Sequence, residues 1–201
     1  TVGGIKFMVG KTKIGIIPTI RENHSTLEFC VDRKLIAFVK KISPQAEIQI
    51  LFERKTINMN LIISSGGNTL YELSKKDKDK KRESLDSYYL NFAHEQNISF
   101  IGICFGAQFI AKKYGSEIKK ICNHVILKHK IIGRKKTLTV NSYHDYGIFK
   151  LGKKLEKIFW ASDNSIELFK LSDKNIYGMM WHPERYKLAK SHDCKFFRDL
   201  L

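Results

Sequence analysis

The sequence predicts an α/β fold, an open sheet that is mostly parallel with an antiparallel C-terminal portion and helices on both faces. Two observations point there. Up to about Tyr114, apolar runs and helically spaced segments follow one another in the order βαββαβα, the succession that builds a parallel sheet with crossover helices. From Glu117 onward the pattern changes to short extended runs, for which antiparallel pairing fits best. A chain of 201 residues, 43% hydrophobic and 28% charged, is large enough to bury one core and has the balance of a single globular domain. That domain is expected over residues 11–201. Residues 1–10 read as an N-terminal extension, with Met8 as the natural start and Thr1 to Phe7 as added sequence.

The elements follow in order. Lys13 to Pro18 is a short apolar strand ended by proline, and Leu27, Val31, Leu35, Phe38, Val39 and Ile42 recur at helical spacing. Ala46 to Phe52 and Leu61 to Ser64 read as strands, the latter stopping at the sharp turn Ser65-Gly66-Gly67. The charged run Lys75 to Glu83 reads as a solvated loop or helix start, before an amphipathic helix from Ser84 to Gln96. Ile98 to Ile103 is a buried strand that runs into Cys104, and Ala107 to Tyr114 is helical. Further strands are expected at Val125–Leu127, Lys130–Ile132, Thr137–Val140, Phe159–Ala161, Ser165–Leu171 and Ile176–Met180, with a closing helix over Lys187–Leu201. Trp160 and the Phe196-Phe197 pair are core candidates.

Composition narrows the function. No apolar run approaches the roughly 20 residues of a membrane span, and the N-terminus lacks the layout of a secretory signal. Four widely spaced cysteines in a chain this size are expected to be free thiols in a reducing compartment, so a cytoplasmic location is expected. The net charge of +16 and pI near 9.7 raise a nucleic-acid partner, but the lysines are spread along the chain and no nucleic-acid motif accompanies them. The expectation is no nucleic acid, no membrane, and a small substrate that phosphate groups would suit.

Two segments carry chemistry. Gly102-Ile103-Cys104-Phe105-Gly106 is the cysteine form of a nucleophile elbow at a strand-to-helix junction. Its glycines allow close backbone approach, and the helix behind it offers N–H groups to developing negative charge. Trp181-His182-Pro183-Glu184 ends an extended run with an imidazole and a carboxylate two positions apart, on one side of a strand-like segment. Together they supply a thiol nucleophile, a base and an orienting acid. His124 and His129, with the four cysteines, raise a zinc site, but no C-x-x-C or second clustered pair completes one, so no metal is expected. Arg21 and His24 lie in the loop after the first strand, where such sheets place ligands; Asn23 and Ser25 suit a helix entry equally well. Cys30, Cys122 and Cys194 read as structural.

Gly102 to Gln108 (GICFGAQ), Trp181 to Glu184 (WHPE) and Ser65-Gly66-Gly67 resemble the three signature segments of class I glutamine amidotransferases, in the family's order. The resemblance implies a flavodoxin-like fold with Cys104 as nucleophile, His182 as base and Glu184 as orienting acid. It also implies an oxyanion hole from the backbone N–H groups of Gly67 and Phe105, with Gly66 and Gln108 against the glutamyl part of the substrate. Phe105 departs from the Leu or Arg of many members and is expected to reshape the pocket mouth; Ser65 replaces a proline. Val140-Asn141-Ser142-Tyr143-His144 is similar to the V-N-S-x-H segment of the γ-glutamyl hydrolase branch, including enzymes acting on γ-glutamyl-γ-aminobutyrate. That places Asn141, Ser142, Tyr143 and His144 among the substrate-binding residues. Strands bearing histidine, as around His124 and His129, resemble those lining the leaving-group side in relatives that act on a nucleotide-linked γ-glutamyl amidate. The implied reaction is cleavage of a γ-glutamyl amide through a thioester, with no cofactor. A glutaminase subunit passing ammonia to a separate synthase is the alternative.

Overall fold

A computed structural model describes residues 11–122 and 124–201; the expected N-terminal extension lies outside the described residues. The strands are β1 (Lys13–Ile17), β2 (Thr19–Asn23), β3 (Thr26–Cys30), β4 (Glu47–Ile50), β5 (Leu61–Ser64), β6 (Ser99–Ile103), β7 (Glu117–Lys120), β8 (Val125–Gly133), β9 (Thr137–Tyr143), β10 (Tyr146–Lys150), β11 (Leu155–Ala161), β12 (Ile166–Leu171) and β13 (Ile176–Met179). The helices are α1 (Arg33–Ile42), α2 (Tyr71–Ser74), α3 (Asp77–Gln96), α4 (Phe105–Lys113) and α5 (Ser191–Arg198), with a 3-10 turn at Pro183–Arg185.

Nine strands form the central sheet in the order β4-β1-β5-β6-β13-β12-β11-β8-β9. Pairings from β4 through β13 are parallel, and those from β13 through β9 are antiparallel. The expected α/β class with an antiparallel C-terminal portion is therefore present. Alternate strand residues face two separate cores, as the period of two requires. Ile62 and Phe100 pack with Leu85, Tyr89 and Ile110 of α3 and α4, whereas Ile63 and Ile101 pack with Leu35, Phe38 and Phe197 of α1 and α5. Helices thus cover both faces.

Several boundaries differ from the expectation. The helical spacing that began at Leu27 is taken up first by the β2–β3 hairpin, which turns at His24 with φ 45°, and only then by α1. Asp32 sets that start: its carboxylate accepts the Lys34 N–H at 2.8 Å, satisfying a first-turn donor. Of the charged run before Ser84, the residues from Asp77 to Glu83 belong to α3. The two expected strands from Val125 to Ile132 are one strand, β8, and β7 and β10 pair as a small separate sheet. The Ile176 run is not antiparallel to all its neighbours: β13 pairs antiparallel with β12 but parallel with β6, opposing Met179 to Ile103. Phe197 is fully buried against Phe38, while Trp160 is half-buried beneath the Lys157 ammonium. Among the described residues no helix is long and apolar enough to cross a membrane.

Candidate active site

The parallel strands β5, β6 and β13 lie side by side, so their carboxyl ends emerge at one edge. From that edge β5 delivers Ser65-Gly66-Gly67, β6 delivers Cys104, and β13 delivers His182 three residues beyond Met179. The Cys104 N–H donates to the Met179 carbonyl at 2.8 Å, which ties the second segment directly to the third.

Cys104 caps α4 with φ 53° and ψ −101°, a conformation that costs a non-glycine residue energy and is retained where surrounding structure enforces it. The flanking glycines permit the close backbone approach it requires. A Cβ at Gly102 would collide with the backbone of Gly106 and Ala107, and one at Gly106 with Ser64. Cys104 is buried at the base of a cavity of about 260 Å³, which Gly67, Gln108, Tyr143, His144, His182 and Arg185 also line. Gly66 packs against both the Cys104 and the His182 side chains. A Cβ there would lie 3.2 Å from the Cys104 Cβ and 2.8 Å from the His182 Cε1.

His182 is buried, and its Nδ1 donates to the Glu184 Oε1 at 2.6 Å. Burial opposes protonation of this ring, but the adjacent Cys104 sulfur and then the Glu184 carboxylate outweigh it, and the pKa is pushed up to about 9. Tyr143 sets its ring edge-on to the imidazole at 5.7 Å, and the Arg185 guanidinium lies 4.8 Å from the centre of the Tyr143 ring. The structure therefore brings Cys104 and His182 to one cavity, with Glu184 bonded to the imidazole and facing a second cavity.

The remaining predicted residues divide. Gly67 has φ 100° and borders this cavity and a second of about 350 Å³, which Arg21, Cys30, His182 and Arg185 also line. Phe105 is the first residue of α4, where N–H groups have no partner within the helix. Its ring is fully buried against Phe109 and Arg82, so it does not shape the pocket mouth as expected. Gln108 lines the cavity, with its Nε2 donating to the Tyr146 carbonyl at 3.0 Å. Tyr143 and His144 line it too, but Asn141 and Ser142 do not. The Asn141 Nδ2 donates to the His182 carbonyl at 2.8 Å and its Oδ1 accepts the His182 N–H at 2.9 Å, so both ends of the amide hold the imidazole-bearing residue. Ser142 is buried and donates to the His124 carbonyl at 2.5 Å. Arg21 reaches the larger cavity, whereas His24 sits exposed at the hairpin turn. Cys122 is exposed, Cys30 is half-buried and borders a cavity, and Cys194 is buried.

Sequence reading missed the support beneath the glycine turn. Asp79, Arg82 and Asp86 are fully buried on α3. The Arg82 Nε donates to the Asp86 Oδ2 at 2.7 Å, and its Nη2 donates to the Ser65 carbonyl at 2.6 Å and the Ser64 Oγ at 3.0 Å. Asp79 accepts from Asn68, whose Nδ2 also donates to the Ile20 carbonyl. Burial pushes the Asp86 carboxyl upward against the pull of Arg82. The signal was the spacing of residues 79, 82 and 86, which puts three charges on the face that also carries Leu85, Tyr89 and Ala93.

A second group lies around His144, which lines the cavity. His124, His144 and Glu167 offer ligand atoms all within 4.8 Å of one another, although sequence reading expected no metal. Glu167 is fully buried, and burial pushes the His144 pKa down against its attraction.

The chain belongs to the class I glutamine amidotransferase family, whose model matches residues 30–200. Among individual relatives it is 41% identical over 124 residues to the gamma-glutamyl-CDP-amidate hydrolase of Campylobacter jejuni, a match covering 62% of each chain. The aligned part thus spans less than two thirds of that relative's length. In fold it superposes on a Thermoplasma acidophilum protein described as a subunit of GMP synthase, with TM-score 0.72, 17% identity and coverage of 94% of this chain and 92% of the other. A glutamine amidotransferase from Thermotoga maritima gives TM-score 0.64 at 18% identity, covering 86% and 76%.

Proposed function

We propose that the chain is a free-standing, cysteine-dependent γ-glutamyl amide hydrolase whose leaving group is a phosphoramidate-bearing nucleotide of the CDP-amidate type. The observation that carries the reaction is that Cys104 and His182 border one cavity while Glu184 holds the imidazole at 2.6 Å. The leaving group is suggested by the Campylobacter relative. It is supported by Arg185 and Arg21 at the cavity walls and by the net charge of +16.

His182 takes the thiol proton, and the Cys104 sulfur attacks the γ-carbonyl carbon. The carbonyl oxygen becomes an oxyanion facing the N–H groups of Gly67 and Phe105. As the C–N bond breaks, the imidazolium returns its proton to the departing nitrogen, leaving a γ-glutamyl thioester. Water, deprotonated by the same ring, then releases glutamate and restores the thiol. Glu184 holds the ring through Nδ1 so that Nε2 faces the chemistry. These steps need no cofactor. A cytoplasmic setting suits a nucleophile that must stay reduced, and all four cysteines are free.

The test is glutamate release from γ-glutamyl-CDP-amidate, other γ-glutamyl amides and glutamine by the chain alone. Rapid turnover of the nucleotide substrate is expected. Turnover of glutamine alone, rising on addition of a synthase, would replace this reading with the glutaminase subunit.

A further inference from the structure

We propose that His124, His144 and Glu167, with His129 beside them, form a binding site for one divalent transition-metal ion of the zinc type. The site rests on the geometry of β8, β9 and β12 and not on the proposed activity.

The Glu167 carboxylate is fully buried, with its Oε2 lacking a hydrogen-bond donor. Three imidazoles converge on it: the His144 Nε2 is 3.6 Å and the His124 Nδ1 3.9 Å from Oε1, and the His129 Nε2 is 3.5 Å from Oε2. None of these ring nitrogens makes a hydrogen bond. Tetrahedral zinc with nitrogen and oxygen ligands at about 2.0–2.2 Å places neighbouring ligand atoms roughly 3.3–3.6 Å apart. The His144 separation of 3.6 Å falls in that range, and the ligand atoms of His124, His144 and Glu167 all lie within 4.8 Å of one another.

The outer partners fix the proton positions. The far nitrogen of His124, Nε2, donates to the Asp163 Oδ2 at 3.0 Å, and Ser165 donates in turn to the other Asp163 oxygen at 2.7 Å. The His144 Nδ1 donates to the Tyr146 carbonyl at 3.1 Å. With those protons pointing outward, the inward nitrogens of His124 and His144 present bare lone pairs to a carboxylate that is also electron-rich. Lone pairs facing lone pairs in a buried space repel, and a cation at their centre turns that repulsion into coordination. Carboxylate and carbonyl groups orienting the outer nitrogen are the usual companions of metal-bound histidine.

Because His144 also lines the Cys104 cavity, the ion would fix that wall. The link continues through β12, since the Glu167 carbonyl accepts the Met180 N–H at 2.9 Å, two residues before His182.

The experiment uses full-length Cys104→Ala protein stripped of metal, so that the thiol and His182 cannot act as a competing site. Titration with Zn²⁺, and separately with Co²⁺, should give one ion per chain, and the cobalt spectrum should show d–d bands without thiolate charge transfer. Adding His144→Asn should weaken binding at least about 100-fold. Asp163→Asn, at a half-exposed outer position, should weaken it roughly 10- to 100-fold and serves if His144→Asn does not fold. Substoichiometric uptake, a thiolate band, or equal affinity in a folded His144→Asn or Asp163→Asn variant would overturn the proposal.

Discussion

The cavity wall that carries Cys104 and the histidine cluster behind His144 are built in opposite ways. The wall formed by β5, β6 and β13 draws each functional group from a short local segment at the end of a parallel strand, and adjacent strands bring three such segments together. The group around β8, β9 and β12 gathers His124, His129, His144 and Glu167 from segments spread over more than forty positions, and no single motif contains them together. A site whose parts are local can be read from spacing. One assembled by long-range pairing cannot, because side-chain proximity depends on the fold.

The largest expected effect falls on the first wall. Cys104→Ala should lower glutamate release by roughly four orders of magnitude with the fold unchanged, as removing a covalent nucleophile does; steady-state assays beside circular dichroism would measure both. Next comes the support beneath it. Arg82→Met strands the buried Asp86 and frees the Ser65 carbonyl, so denaturant unfolding should show about 3–5 kcal/mol of lost stability. A loss under 1 kcal/mol would mean that the network is not holding the turn.

Gly66→Ala sharpens the comparison without deleting any chemistry. Its new methyl would press on the His182 ring, and a displacement of that kind should lower kcat about 100-fold with little change in stability. Asn141→Ala removes two hydrogen bonds to the His182 backbone and should cost about 1–3 kcal/mol in unfolding free energy. If Asn141 bound substrate instead, KM would rise with stability unchanged.

The smallest effect is on pH dependence. The folded state favours protonated His182, whose pKa is raised from 6.5 to about 9 by Cys104 and Glu184 against burial. Its contribution to stability is therefore complete below pH 6.5 and fades as the pH climbs through about 9. Unfolding curves across that window should fall more steeply for the wild type than for His182→Gln.

Much of the first wall was legible. Cys104, His182 and Glu184 stood in segments whose glycines and spacing dictated their geometry, and the structure unites them. Asn141 and Ser142 were assigned to substrate by resemblance, yet their roles depend on what lies across from β9: one meets the backbone of His182, the other that of His124. Arg82 was hidden by its surroundings, because a run of lysines and acids reads as solvated until helical spacing is applied. The hairpin before α1 was hidden for a different reason. Leu27 and Val31 matched the spacing of the true helix by coincidence, while Asp32 marked its start.

The most direct measurement is rapid-quench mass spectrometry of the protein during turnover of a γ-glutamyl amide, with peptide mapping of any adduct. One γ-glutamyl group on Cys104, decaying as glutamate appears, is the predicted result. Turnover at full rate through a folded Cys104→Ala protein, with no adduct on the wild type, would contradict it.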